Sequence, residues 1–165
     1  MKKQLIATLL IIAVPFFFVS CVSSILKEKP PSFSSEIRLT APKAPFVKTE
    51  TSVFPTWKSS QTGNVISIVS DCNEGSTNKL SALHKLIEDS LEEIKIVKEE
   101  TVALQNRPAL LKVVTASLDG QPIEVRSVSF KRKSCGYLAS LSGKPNSLLK
   151  DTDHFDRFIQ GFGFE

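Results

Sequence analysis

The residue with the clearest chemistry is Cys21, which ends a short apolar stretch close to the N-terminus. Two lysines begin this stretch, residues 5–19 are mostly apolar, and Ser20 places a small side chain directly before the cysteine. This order is typical of a signal segment that a peptidase removes after small residues. The sequence therefore predicts that residues 1–20 are a signal peptide and that Cys21 becomes the new N-terminus.

The segment resembles the signals of bacterial lipoprotein precursors, although Phe18 stands where such signals usually carry leucine. The resemblance implies that the Cys21 thiol bears a diacylglycerol and its amino group a further acyl chain such as palmitate, which together anchor the protein in a bilayer leaflet. Val22, in place of an aspartate, implies the outer membrane, facing the periplasm, if the host follows the enterobacterial sorting pattern.

Two alternatives to this lipoprotein signal are an ordinary secretory signal and an uncut anchor helix. The apolar run is shorter than the roughly 20 residues that span a bilayer, and Pro15 interrupts it, which disfavours a permanent anchor helix.

Cys72 and Cys135 form the one pair available for a disulfide once Cys21 is acylated. An exported chain meets an oxidising compartment, so we expect these two thiols to be bridged. The alternative is two buried free thiols. Besides these cysteines the chain has two histidines, His84 and His154, which is too few ligands for a typical metal site. The sequence predicts neither a metal nor another cofactor.

The common catalytic motifs are missing from the sequence, which has no Gly-x-Ser-x-Gly elbow, no His-Glu-x-x-His pair and no glycine-rich phosphate loop. Asp151, Asp153 and Asp156 cluster carboxylates of the kind that calcium prefers, but the glycine and glutamate of an EF-hand loop do not follow them. Helix capping explains the same acids. His84 is expected to be a partly exposed structural histidine on a helix.

Arg107 is the polar residue with the most definite binding chemistry, because it lies between two predicted strands and beside Pro108. A guanidinium fixed there could contact a carboxylate or phosphate ligand bidentately. The alternative is a structural ion pair within the domain.

The charge balance is nearly even, since removal of the signal's two lysines leaves 19 of the 21 basic residues against 17 acidic ones. No nucleic-acid partner is expected from such a balance. The densest basic run, residues 131–133, lies between two predicted strands, where an exposed hairpin tip is expected. Contact with lipid headgroups or another acidic surface is the alternative.

The chain after the signal divides into two parts by composition. Residues 21–49 are rich in Ser, Pro and Lys and predict a tether, in which residues 37–39 form a short strand that could dock onto the domain edge. Residues 50–165 predict a single domain with a real core.

Within the domain, Phe54 and Trp57 precede a predicted turn at residues 61–63 and a strand at residues 65–70. A long helix over residues 77–94 follows, capped by Ser76 or Thr77. The apolar period then changes from 3.6 to 2, which predicts strands at residues 96–104, 109–118, 122–131 and 135–141. Asp119-Gly120 predicts a tight hairpin turn. A closing helix after Asp151 presents apolar side chains to the core, namely Phe155, Phe158, Ile159 and Phe162. The expected class is α+β, an antiparallel meander packed against one long and one C-terminal helix.

Several short segments recur together in one known group of domains. They are Trp57 and Gly63, residues 106–109, Leu118-Asp119-Gly120, Cys135-Gly136-Tyr137 and the phenylalanine-rich residues 155–159. In this pattern residues 50–165 resemble bacterial lipoprotein domains with a PsbP-like fold, of which the DcrB-type periplasmic lipoproteins are members. Asn106 replaces the group's usual glycine. The resemblance implies the PsbP-like fold and a binding or assembly module.

We therefore expect a non-catalytic, lipid-anchored domain of the bacterial envelope that binds an envelope protein or a small ligand. The rival is an envelope enzyme with a dispersed site, for which Arg107, His154 and Asp153 are the first candidates. A purely structural role is the third possibility. An enzyme predicts a deep pocket with converging polar groups, whereas an adaptor predicts an exposed apolar patch or an open sheet edge.

Overall fold

The computed structural model describes residues 33–34, 36–72 and 79–164. Seven antiparallel strands form the main sheet in the order β2-β3-β4-β8-β7-β6-β5, and β1 pairs with β9 beside it. Within these residues no helix is long and apolar enough to cross a membrane. The elements are β1 Ile37–Arg38, β2 Phe46–Lys48, β3 Thr56–Ser59, β4 Val65–Asp71, α1 Leu80–Leu83, α2 Lys85–Glu88, β5 Glu92–Leu104, β6 Arg107–Leu118, β7 Gln121–Arg132, β8 Cys135–Gly143, a 3₁₀ turn Leu148–Lys150, α3 Thr152–Gln160 and β9 Gly163–Phe164.

The meander from β5 to β8 confirms the antiparallel sheet expected from the alternating residues. Asp119 and Gly120 connect β6 to β7 with φ angles of 51° and 72°, the left-handed values that a two-residue hairpin of this kind requires. Gln105 and Asn106 connect β5 to β6 with φ angles of 49° and 61°, in the same way.

The predicted long helix over residues 77–94 is wrong. The structure instead has two short helices, α1 and α2, which end before Ser90, and then the long strand β5. Ser90 turns the chain by donating its hydroxyl to the Ile87 carbonyl at 2.7 Å. From Ile94 onward the segment is rich in β-branched residues, and pairing with β6 outweighs their helical spacing. The predicted caps at residues 76–77 lie outside the described residues.

Residues 36–48 are part of the fold. Residues 37–39 were expected to form a short strand that docks onto the domain edge, and β1 does so by pairing with β9. β2 adds an edge strand to the main sheet, and Ile37 and Phe46 are both buried in the core. The folded domain therefore begins before residue 50. Ile37 and Phe46 contact the core, which was not predictable because the segment around them is rich in Ser, Pro and Lys.

The main core lies between the sheet and α3. Phe155, Phe158 and Phe162 are buried there, as the sequence predicts for the closing helix. The Phe158 ring lies 5.2 Å from the ring of Trp57 and 4.9 Å from that of Phe162, both in edge-on geometry. Such aromatic contacts add to the free energy gained by burial alone. We call this side of the sheet the α3 face.

The opposite side of the sheet, here called the α1–α2 face, is covered by the two short helices. Leu83 packs so closely on β8 that a methyl group on Gly136 would come within 2.6 Å of it. Ser129 of β7 donates its hydroxyl to the Leu80 carbonyl at 2.9 Å and so ties α1 to the sheet. Successive residues of a strand point to opposite faces, so β7 supplies both layers.

Candidate functional site

A cleft of about 290 Å³ opens between α3 and strands β5, β6 and β7 on the α3 face. We call it the α3 cleft. Most of its wall is apolar, and its polar groups are two glutamine amides and one ion pair. Its lining residues are Val102, Ala103, Leu104, Gln105, Leu111, Arg126, Val128, Asp156, Ile159 and Gln160.

The ion pair of the cleft joins β7 to α3. One terminal nitrogen of Arg126, Nη2, lies 3.2 Å and 3.5 Å from the two carboxylate oxygens of Asp156. The Arg126 side chain is 24% exposed and that of Asp156 37% exposed. The Nε nitrogen of Arg126 is buried and has no acceptor among the described residues. The guanidinium therefore keeps an unused donor inside an apolar wall.

The turn between β5 and β6 closes one end of the cleft. The Gln105 amide donates to the Phe162 carbonyl at 2.7 Å and to the Gln160 carbonyl at 3.1 Å. These carbonyls lie at the C-terminal end of α3, where backbone acceptors lack partners inside the helix. The contact fixes α3 relative to the hairpin and so holds the cleft walls in place.

The cleft lining contains one carboxylate, that of Asp156, and no serine, cysteine, histidine or lysine side chain. An apolar cavity with a few oriented polar groups is the usual form of a small-ligand site.

A second group of polar side chains is buried on the α1–α2 face. His84 is 1% exposed, and its Nδ1 lies 2.9 Å from the Ser127 hydroxyl. Lys112 pairs with Glu88 at 2.6 Å and with Glu99 at 3.5 Å. Burial, and secondarily the Lys112 charge, lower the pKa of His84, while Glu88 and Glu99 act in the opposite direction. The expectation of a partly exposed His84 is therefore wrong.

Sequence reasoning did not single out Ser127, whose hydroxyl meets His84 only because β7 passes under the α1–α2 segment. The pair resembles a serine–base arrangement in distance alone. Both residues are buried, so a substrate could not reach the hydroxyl. We assign the contact a structural role.

The structure does not gather the three dispersed catalytic candidates into one site. Arg107 is exposed at the start of β6 and is not among the residues lining the α3 cleft. His154 and Asp153 are sequence neighbours on α3, where the His154 ring lies 5.8 Å from the ring of Phe46. Cys21, the predicted lipidation site, lies outside the described residues.

The acidic residues near the start of α3 serve the fold. Asp151 occupies the N-cap position without a side-chain cap and is buried, where it accepts from the Asn64 amide at 2.8 Å and from the Thr62 hydroxyl. Asp156 pairs with Arg126. Among the described residues no cluster of three or more histidine, cysteine or acidic side chains could hold a metal ion.

Cys72 and Cys135 form a disulfide in the structure, as expected from the sequence. It joins the end of β4 to the beginning of β8, and the two α-carbons are 4.2 Å apart. The bridge closes the loop that contains α1, α2 and the strands β5 to β7.

The outer strand β5 leaves one edge of the main sheet open. Residues 92–101 are exposed, including Ile94, Ile96 and Val97. Two register shifts interrupt its pairing with β6, and lysines and glutamates occupy most of its other positions. Bulges and charges are features by which proteins protect a sheet edge from unwanted pairing.

The comparisons with known proteins bear on the fold. No family model and no curated protein matches the sequence. The solution structure of cyanobacterial PsbP (CyanoP) from Synechocystis sp. PCC 6803 matches with a TM-score of 0.56 at 8% identity, over 82% of this chain and 91% of that one. A protein of unknown function from Pseudomonas aeruginosa matches with a TM-score of 0.54 at 15% identity, over 74% of this chain and 83% of that one.

A third match is LpqN, described as involved in cell envelope biogenesis of Mycobacterium tuberculosis, with a TM-score of 0.48 at 9% identity and 80% coverage of both chains. This similarity is too low to carry an argument. The match to CyanoP shows that the chain has a PsbP-like fold, as the resemblance in sequence implies. At such low identities a shared fold does not transfer a function.

Proposed function

We propose that this protein is a lipid-anchored lipoprotein of the bacterial envelope and that its folded domain is a non-catalytic binding module. The observation that carries the binding role is the α3 cleft, which combines apolar walls with one oriented arginine. The acyl anchor on Cys21 rests on the signal-like residues 1–20. The outer membrane, facing the periplasm, is the proposed location.

A binding role accounts for the geometry better than the alternatives. An enzyme usually needs a nucleophile beside a base, or two acid–base groups, in its pocket, whereas the one carboxylate of the cleft, Asp156, is paired with Arg126. A purely structural protein does not need a cavity beside an arginine whose buried Nε finds no acceptor among the described residues, because such a donor costs free energy.

An adaptor that binds an envelope protein is the second candidate, and the exposed edge strand β5 favours it. Its occupant would be an extended segment of that protein, adding a strand to the sheet. The bulges and charges of β5 make this edge a weaker candidate than the cleft. Crosslinking in the native envelope, with Cys21→Ala as a control that cannot be acylated, would distinguish them, because an adaptor yields a specific protein adduct through β5.

The anchor is tested by growing cells with labelled palmitate. We expect label in the wild-type protein and none in Cys21→Ala, and we expect the wild-type protein in the membrane fraction. Label in both forms, or in neither, would contradict acylation at Cys21.

Binding in the cleft is tested by thermal denaturation with an organic extract of the native envelope. A ligand that binds only the folded state raises the Tm, and the shift grows with the logarithm of the ligand concentration above its Kd. We expect the extract to raise the Tm of the wild-type protein but not that of Val102→Trp, in which a larger side chain fills the cleft. An equal shift in both proteins would place the binding elsewhere.

A further inference from the structure

We infer that the α3 cleft takes a small monocarboxylate with a compact apolar body. This inference rests on the proposal that the cleft is the binding site, and it adds the chemical class of the ligand. The recognising group is Arg126, with Asp156 as its competitor and partner.

The guanidinium of Arg126 has room for a second carboxylate. Its contact with Asp156 uses Nη2, at 3.2 Å and 3.5 Å, and is therefore longer than a close charged hydrogen bond. Its Nε is buried without an acceptor among the described residues. A guanidinium presents its N–H groups in a planar fork that fits a carboxylate with two parallel hydrogen bonds. A ligand carboxylate that replaces Asp156 at Nη2 would also accept from Nε, which lacks an acceptor among the described residues, once the guanidinium turns toward the cleft.

The walls of the cleft determine the size and polarity of the part of the ligand beyond its carboxylate. The side chains of Val102, Leu104, Leu111, Val128 and Ile159 line the cleft, so the ligand's body meets hydrocarbon. The volume of about 290 Å³ lies just below the range for small-molecule sites, about 300–1,000 Å³. A compact body, such as a short aliphatic chain or a single ring, fits this space.

The charge of the site favours one negative charge on the ligand. Arg126 and Asp156 together are neutral, so a monocarboxylate brings the site to a net charge of −1. A phosphate monoester would bring it close to −2, with the second charge next to Asp156. Like charges in a partly buried site repel each other strongly because screening by water is reduced.

The test uses the full mature protein, purified in a nonionic detergent, and two probes of the same shape: 6,6,6-trifluorohexanoate and the corresponding alcohol. Binding is followed by fluorine NMR at neutral pH. Arg126→Gln removes the guanidinium, and Asp156→Asn removes its competitor. Arg107→Gln is the matched control, since that arginine is exposed and does not line the cleft. Val102→Trp fills the cleft.

We expect the acid to bind the wild-type protein and the Arg107→Gln control equally. Arg126→Gln should weaken acid binding by about 10-fold or more, the size expected for loss of a charged hydrogen bond. Asp156→Asn should tighten acid binding several-fold, which a merely structural role of the ion pair would not produce. The alcohol should bind more weakly than the acid and should not respond to Arg126→Gln.

Two results would overturn the inference in different ways. If the alcohol binds as tightly as the acid and Val102→Trp blocks both, the cleft is a binding site for a neutral ligand, so the ligand class is wrong while the proposed function stands. If neither probe binds in a way that Val102→Trp abolishes, the proposed binding site fails together with the inference.

Discussion

The two faces of the sheet are buried by different chemistry. The α3 face is closed by aromatic and aliphatic side chains, with Phe155, Phe158 and Phe162 of the C-terminal segment at its centre. On the α1–α2 face the buried side chains include serines, His84 and Lys112. The comparison shows that one strand can serve a hydrophobic layer and a polar layer at once, since β7 contributes to both.

Because the two faces differ in this way, we expect one to contribute mainly to stability and the other mainly to ligand binding. The α3 face has the cleft, and its one ion pair is partly open to solvent. On the α1–α2 face Ser127 contacts His84 and Lys112 pairs with Glu88, although the His84 Nε2 has no hydrogen-bond partner among the described residues. We therefore expect mutations on the α1–α2 face to change stability, and mutations at the cleft to change binding.

The largest expected effect is on the α3 face. Phe155→Ala should lower the free energy of unfolding by about 3–5 kcal/mol, because the fully buried ring leaves a cavity that the surroundings fill only in part. Urea denaturation measures this. Leu149→Ala is the control, since its side chain is 80% exposed, and it should change stability by less than about 0.5 kcal/mol. Similar losses in both variants would contradict the placement of the core.

Loss of the disulfide should come next. The double variant Cys72→Ala/Cys135→Ala should lose about 2–4 kcal/mol, because a bridge across a sequence separation of 63 residues restricts the unfolded chain. Reduction of the wild-type protein should produce a similar loss of stability in urea denaturation. If free thiols are found at both positions in exported protein, the bridge is not formed in the cell.

A smaller loss is expected from the polar layer of the α1–α2 face. Lys112→Met should lower stability by about 1–3 kcal/mol, since it leaves Glu88 without its partner at a side chain only 20% exposed. Arg126→Met, at the more exposed pair of the α3 face, should lower stability by about 1 kcal/mol or less. A reversed order in urea denaturation would contradict the division between the two faces.

A pH dependence of stability is expected from His84, and it is limited to acidic solution. Its pKa in the folded protein lies below the ordinary value of 6.5, so the unfolded chain takes up the proton first as the pH falls. Stability should therefore fall below about pH 6.5, by up to about 1.4 kcal/mol per pH unit, until the folded protein is protonated as well. Urea denaturation at several pH values measures this slope.

His84→Gln should remove the His84 part of that slope. His154→Gln, which replaces the chain's other histidine, should leave it in place. An unchanged slope in His84→Gln would assign the pH dependence to other groups.

The strands were largely predictable because apolar and polar residues alternate along parts of them in the sequence. The alternation is clearest in β8, where Cys135, Tyr137, Ala139 and Leu141 occupy every second position, and Asp119-Gly120 fixes one hairpin. Nothing in the sequence argues against the long helix, since the helical spacing of Leu80, Leu83 and Ile87 continues to Ile94. Only the pairing of β5 with β6, a contact between separate segments, decides against it.

The candidate site was less predictable than the fold. Arg126 and Asp156 lie 30 residues apart in sequence, and neither forms part of a motif. The one local signal is that Arg126 shares the alternation of Val128 and Phe130, which places a charge on the core side of β7. The serines of β7 suggest a solvated face, although α1 and α2 cover them.

The central claim is that an acylated protein holds a small ligand in the α3 cleft, and one measurement tests it most directly. Native mass spectrometry of the protein isolated from its own envelope should show Cys21 as the acylated first residue and an additional non-covalent small molecule. In Val102→Trp the acyl mass should remain and the small molecule should be absent. An unacylated chain that begins elsewhere, or a ligand retained in Val102→Trp, would contradict the account.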